Sequence, residues 1–290
     1  MPHKLKLEIA SVTDIGLVRR GNEDMIGHHE ASGLFVLADG MGGYNAGEIA
    51  SSMAVEGLLE ALPPELDKHD FQSSSDSLHE ILTKGIESVN LSIFKAAQSE
   101  TKYAGMGTTL VVGTFQHGYI TIAHIGDSRA YRLRDFRLTQ LTHDHSLLQE
   151  QIDIGLLSED QARQSPHRNL VTRALGVEAN VLPEIHDHTV RNGDLFLFCS
   201  DGLTDMINDE NIAQLLLDGQ QPGVIPPPSE SAPSVQTMVN RLLQAALHAG
   251  GDDNTSIILV RVIETPPSLV RTTPNLDARS IFARMLSRLK

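Results

Sequence analysis

A single cysteine in 290 residues, Cys199, excludes an intrachain disulfide. It lies inside the apolar run Asp194 to Ser200, which reads as a buried strand, so it is expected to act as a small core hydrophobe. So few thiols agree with a reducing compartment. Basic residues are also in the minority, 23 Lys and Arg against 37 Asp and Glu, for a formal net charge of −14. That balance argues against a nucleic-acid backbone as the main partner, whereas an acidic chain can concentrate divalent cations. The opening Met1-Pro2-His3-Lys4-Leu5-Lys6 leads into Glu8 without the apolar core of a secretory signal, and no run approaches the roughly 20 apolar residues of a membrane span. A cytoplasmic protein is expected. There is no internal repeat, and the Gly-x-Ser-x-Gly pattern of a serine nucleophile is missing around Gly126-Asp127-Ser128.

Strand-like segments near residues 7–13, 34–38, 109–115, 119–125, 194–200 and 255–262 are mixed with helical stretches, without regular strand-helix alternation. The clearest hairpin joins Thr109–Phe115 to Tyr119–Ala123 through Gln116-His117-Gly118, which favours antiparallel sheet over a doubly wound parallel one. Helices are predicted over Ala46–Leu62, Ser77–Gln98, His145–Ile154, Asp209–Leu217 and Ser234–Ala249. In the second, Leu78, Ile81, Leu82, Ile86, Val89 and Ile93 recur at helical spacing, as core packing requires. Asp218–Pro233 and the stretch after Glu264 are too proline-rich for packed regular structure. The length suits one domain followed by a tail.

Four segments place an acidic residue against glycine or asparagine where strands are expected to end: Asp39-Gly40-Met41-Gly42-Gly43, Gly126-Asp127-Ser128-Arg129, Ser200-Asp201-Gly202 and Gly250-Gly251-Asp252-Asp253-Asn254. Any one of them, standing alone, is more simply an ordinary turn. Four carboxylates gathered at one rim would make an all-oxygen site suited to Mg²⁺ or Mn²⁺. If Asp39 and Asp201 meet there, a carboxylate can bridge two ions that share and activate a water. Gly40 lets its backbone carbonyl approach a metal closely. Upstream, Arg19-Arg20-Gly21-Asn22-Glu23-Asp24 sets guanidinium groups beside carboxylates, either as a solvated charge pair or as a fork for phosphate.

The ordered set Arg19-x-x-Asn22-Glu23-Asp24, Asp39-Gly40-Met41-Gly42-Gly43, Gly47-Glu48-x-Ala50-Ser51, Gly105-Met106-Gly107-Thr108-Thr109, Gly126-Asp127-Ser128-Arg129, Ser200-Asp201-Gly202 and Asp253-Asn254 closely resembles the bacterial branch of the protein phosphatase 2C family. These are metal-dependent serine/threonine phosphatases. The resemblance covers roughly residues 8–263, and its specificity lies in the order and spacing of motifs that are individually weak.

The resemblance implies an α+β fold, a four-layer α-β-β-α sandwich of two mainly antiparallel sheets flanked by helices. It implies a catalytic domain over 1–264 with a flap at about 145–176, and a C-terminal tail over 265–290. It further implies two Mn²⁺ or Mg²⁺ ions bridged by Asp39. The carbonyl of Gly40 would face one ion, and Asp201 and Asp253 would bind the other. Glu23 and Asp24 would orient metal-bound waters, Arg19 would hold the phosphoryl group, and Asn254 would support the ligands from behind. Asp127, with Asp201, would hold a third and weaker ion. A metal-bridging water would attack phosphorus in line, with no phosphoenzyme. Eukaryotic relatives place His directly after the Asp-Gly where this chain has Met41, and many bacterial relatives place it where this chain has Tyr44. The leaving-group proton is therefore assigned to a water near Asp127.

Expected substrates are phosphorylated proteins, in opposition to a bacterial serine/threonine kinase, and the enzyme is expected to be a monomer. Rivals are a dedicated phosphatase of one regulator such as an anti-sigma-factor antagonist, a non-catalytic binding module of the same fold, and, more remotely, another metallohydrolase. The His pairs His28-His29, His143-Asp144-His145 and His186-Asp187-His188 invite a zinc reading. It ranks below the carboxylate one, with His145 expected to help position the flap. In the tail, Ile281, Phe282, Met285, Leu286 and Leu289 share one helical face, either folded back on the domain or docking a partner or membrane surface.

Overall fold

The computed structural model describes residues 5–43, 46–68, 75–158, 161–162, 165, 170–217 and 233–265. Two antiparallel sheets face each other. In the first, β1 (Lys6–Asp14), β11 (Thr255–Glu264), β10 (Leu195–Cys199), β7 (Arg129–Arg134) and β8 (Arg137–Gln140) lie in that order. The second runs β2 (Asp24–His29), β3 (Leu34–Met41), β5 (Leu110–Gln116), β6 (Tyr119–Ile125) and β9 (Glu184–Thr189), with the short β4 (Gly107–Thr108) paired to the end of β3. Helices α1 (Ala46–Lys68) and α2 (Ser75–Ser99) cover the second sheet. The first is covered by α5 (Asp209–Leu217) and α6 (Val235–His248). Two shorter α-helices, α3 (Leu147–Asp153) and α4 (Asp201–Thr204), and two 3-10 turns, Glu30–Ser32 and Thr101–Tyr103, are also described. This is the expected four-layer α+β sandwich.

The apolar runs are unbroken because both faces of their strands are covered. On β3, Leu34, Val36 and Ala38 pack towards α1 and α2, while Phe35 and Leu37 point into the space between the sheets. On β10, Leu195, Leu197 and Cys199 pack under α5 and α6, while Phe196 and Phe198 face the opposite sheet. Cys199 is fully buried, and burial pushes its thiol up, as a core hydrophobe requires.

In α2 the predicted stripe is buried in the core shared with α1 at Leu78, Leu82, Ile86, Val89 and Ile93, while its remaining member, Ile81, is partly buried against that core. Helix α1 continues past its expected end at Leu62, through Pro63 and Pro64, because Leu62 and Leu66 both pack into that core. The β5–β6 hairpin turns on two residues rather than three. Gln116 still pairs with Tyr119, and His117 (φ 48°) and Gly118 (φ 81°) adopt the double left-handed conformation of a tight turn. The polar strand β9, Glu184-Ile-His-Asp-His-Thr, has no counterpart among the expected strands. Among the described strands it pairs only with β6, at the edge of the sheet, and much of its surface is exposed.

Among the described residues no helix is long and apolar enough to cross a membrane. The expectations for Tyr44, for Asp218–Pro233 other than Pro233, and for the tail after Thr265 lie outside the described residues.

Candidate metal centre

The β2–β3 ladder puts Asp24 directly opposite Asp39. Asp39 and Gly40 stand inside β3, not beyond its end as expected, because pairing continues: Gly40 faces Thr108 and Met41 faces Gly107 of β4. The backbone of Asp39 is held on both sides. Its N–H donates to Thr109 Oγ1 (3.0 Å), and its carbonyl accepts from the Thr108 hydroxyl (2.8 Å) and the Thr109 N–H (2.8 Å). Gly40 is wedged between the backbones of Gly47 and Glu23, where any Cβ would collide with both carbonyl oxygens.

The other carboxylates stand at strand ends of the first sheet or in the crossover into it. Asp201 opens α4 immediately after β10, and Asp127 lies in the turn between β6 and β7. Asp253 and Asn254 come just before β11, so the Gly250–Asn254 segment leads into a strand and does not follow one. Asn254 ties the loop carrying Arg19 to this end of the sheet. Its Nδ2 donates to the carbonyls of Ile15 and Gly21 (3.0 Å each), and its Oδ1 accepts from Glu23 N–H (2.7 Å). Gly202 packs against the Asn254 carbonyl so closely that a side chain there would displace it. Arg19, 51% exposed, donates from Nη2 to Asp253 Oδ2 at 2.6 Å.

Electrostatics define the cluster. Burial, and then the charges of Asp24, Asp201, Asp127 and Asp253, hold Asp39 well above the usual carboxylate range. Burial, then Asp127, Asp205, Asp253 and Asp24, does the same to Asp201. Burial pushes Asp24 up to about 6 despite hydrogen bonding from Ser256 and Ser200. Its Oδ2 accepts from the Ser200 hydroxyl at 2.8 Å, while its buried Oδ1 has no hydrogen-bond partner. Asp127 is pushed up to about 7 by burial and then by Asp144, with Arg129 opposing. Glu23 is raised by burial, Asp253 and Glu48, against the pull of Arg19.

So many mutually repelling carboxylates, one with an orphaned oxygen, fit bound divalent cations, which would reverse each of these shifts. All of Arg19, Glu23, Asp24, Asp39, Gly40, Asp127, Asp201, Asp253 and Asn254 are thus drawn into one neighbourhood. Two groups were not anticipated. Asp205 adds its charge to Asp201 and Asp127; its spacing of four from Asp201 is the available signal. Ser128 Oγ and Thr109 Oγ1 share a hydrogen bond of 2.7 Å beneath Asp39, a contact between distant polar residues that no periodicity announces.

Among the described residues one trio of His, Cys, Asp or Glu has ligand atoms all within 4.8 Å of one another: His124, His145 and Glu184. It shares no member with the carboxylate rim. The Gly126 N–H donates to His145 Nδ1 (3.1 Å), which places the imidazole proton on Nε2, facing Glu184 Oε2 at 3.5 Å. A protonated Nε2 has no lone pair for a metal. The guanidinium of Arg173, 3.5 Å away, further opposes a cation there.

The protein phosphatase 2C family model matches residues 20–246. The serine/threonine protein phosphatase PstP of Mycobacterium tuberculosis is 37% identical over 260 residues, covering 90% of this chain and 46% of that protein. This chain therefore spans about half the length of that relative. The serine/threonine phosphatase stp of Listeria monocytogenes is 35% identical over 251 residues, covering 86% of this chain and 93% of the relative. A crystal structure of the catalytic domain of PstP in complex with two manganese ions superposes with a TM-score of 0.75 at 34% identity, covering 90% of this chain and 100% of that one. The chain belongs to the protein phosphatase 2C family. The relatives it matches are named serine/threonine protein phosphatases, and one of them was solved with two manganese ions.

Proposed function

We propose that this chain hydrolyses phosphoserine and phosphothreonine on proteins, opposing a bacterial serine/threonine kinase, with residues 1–264 as the catalytic unit and 265–290 as a docking tail. The observation that carries this reading is the rim itself, where Asp24, Asp39, Asp127, Asp201 and Asp253 crowd together behind a half-exposed arginine. Asp39 would bridge two Mn²⁺ or Mg²⁺ ions, with the Gly40 carbonyl towards one, and Asp201 and Asp253 on the other. Asp127, with Asp201, would hold a third and weaker ion. Bound there, divalent cations supply a water of lowered pKa as nucleophile and neutralise charge on the phosphoryl oxygens.

The chain's own residues do the rest. Arg19 now donates to Asp253; with that carboxylate committed to a cation, the guanidinium is free to turn its planar fork to the phosphoryl oxygens. Asp24, held by Ser200, and Glu23, whose backbone is pinned by Asn254, face inward to accept from and orient waters at the rim. Met41 follows Gly40, so no imidazole stands there, and a water held near Asp127 would give its proton to the leaving alkoxide.

The test is hydrolysis of a phosphothreonine peptide by wild type, Asp39→Asn and Asp201→Asn, with and without Mn²⁺. Activity that requires Mn²⁺ and falls by at least about a hundredfold in both variants supports the reading. A folded, Mn²⁺-loaded wild type without activity would remove it.

A further inference from the structure

His145 grips Gly126 twice. Its backbone N–H donates to the Gly126 carbonyl (2.9 Å), and its imidazole Nδ1 accepts from the Gly126 N–H (3.1 Å). Gly126 adopts φ 102°, and on its other side a Cβ would meet the Thr109 side chain at 2.7 Å. The same Thr109 holds the Asp39 N–H and the Ser128 hydroxyl. The turn that presents Asp127 is therefore clasped between Thr109, which belongs to the Asp39 side, and His145.

His145 also begins the segment expected to form the flap. The two ends of that segment close on each other: the His145 carbonyl accepts from Thr172 N–H (2.8 Å), Ser146 bridges Val171, and Leu147 N–H donates to Leu170 O (2.9 Å). Next to it, Asp144 is held by a bidentate contact from Arg129, two residues after Asp127 (Nε to Oδ1 at 3.0 Å, Nη2 to Oδ2 at 2.6 Å). The imidazole is neutral by its surroundings. It is buried, it stacks on His124 with ring centroids 4.8 Å apart, and burial, His124 and Arg173 all lower its proton affinity.

We infer that His145 is a positioning residue whose imidazole and backbone amide clamp Gly126, so that the base of the flap and the Asp127 carboxylate are held as one unit. The inference rests on the phosphatase reading only for its catalytic consequence; the clamp itself is a matter of hydrogen bonds. What the site needs from residue 145 is an acceptor one bond beyond Cγ. Asparagine supplies one, because its Oδ1 falls where Nδ1 lies. Glutamine places its polar atoms near Nε2 and cannot reach Gly126 in the same way.

The experiment uses the full chain carrying His145→Asn, His145→Gln, Asp127→Asn and the double variant H145Q/D127N, each checked for folding by circular dichroism. Amide hydrogen exchange at Gly126 is measured on metal-free protein, and the Mn²⁺ concentration for half-maximal hydrolysis of a phosphothreonine peptide on the loaded enzyme. The expected result is that His145→Asn keeps Gly126 protected, whereas His145→Gln loses at least about tenfold in protection. His145→Gln and Asp127→Asn each raise the half-saturating Mn²⁺ concentration by about 10- to 100-fold, and the double variant rises no further than Asp127→Asn. Equal protection of Gly126 in the Asn and Gln variants, or full additivity with Asp127→Asn, would overturn the inference. A wild type without Mn²⁺-dependent hydrolysis defeats the phosphatase reading, while the exchange measurement still decides the clamp.

Discussion

At Asp39 the backbone and the side chain are fixed by different partners. The carboxylate sits among like charges, but the peptide groups on either side of it answer to the neutral hydroxyls of Thr108 and Thr109. Position and charge are thereby set separately, so the carboxylate can exchange ions without its own strand moving. Thr109→Val keeps the shape but strips the hydroxyl, leaving the Asp39 N–H and the Ser128 hydroxyl each short of a partner. A loss of about 1–3 kcal/mol in urea unfolding is expected. Thr109→Ser should recover most of it, since the oxygen remains. Asp39 and Asp201 stood out in the sequence only as members of a set, because a lone Asp-Gly after an apolar run reads as a turn, whereas several of them at strand ends do not. Thr109 and Ser128 were not legible in the same sense. Their worth lies in a hydrogen bond across 19 residues, and a short polar side chain carries no pattern that reports its partner.

Among the elements, α2 does more than cover a sheet. Its one fully buried polar residue among the described side chains, Asn90, reaches across to Gly176, Glu178 and Ala179. Nδ2 donates to the carbonyls of Glu178 (2.9 Å) and Ala179 (3.2 Å), and Oδ1 accepts from Gly176 N–H (2.7 Å). Asn90→Ala leaves three backbone groups unpaired, and a destabilisation of about 2–4 kcal/mol is expected by denaturant titration. Asn90→Asp should be no milder, because it removes both donated hydrogen bonds and buries a charge. The α2 stripe was plain from its helical period, whereas Asn90 interrupts that period without advertising a purpose. Strand β9 escaped for a related reason. An edge strand half open to water has no need of the apolar alternation by which strands are recognised.

For the molecule as a whole, the balance of charge and the architecture of the rim make the same demand. With 37 acidic residues against 23 basic, and several carboxylates held above their ordinary range, the metal-free protein carries electrostatic strain that bound cations relieve. Mn²⁺ at about a hundred times its dissociation constant should stabilise the native state by about 2.7 kcal/mol, seen as a rise in Tm. EDTA should reverse that rise, and Asp39→Asn and Asp201→Asn should abolish most of it. An equal rise with Na⁺ at matched ionic strength would mean general screening instead of site binding.

Strand β1 pairs with β11 along its whole length, from Lys6 opposite Glu264 to Asp14 opposite Thr255. Among the described strands β1 comes earliest in the chain and β11 latest, so β1 waits for β11 before it gains its one described neighbour in the sheet. Asp253 and Asn254, which hold Arg19 and its loop, stand at the threshold of that last strand. Until β11 docks, the rim thus lacks Asp253 and Asn254. The rim is completed only as β11 docks, a timing control written into the order of the described strands.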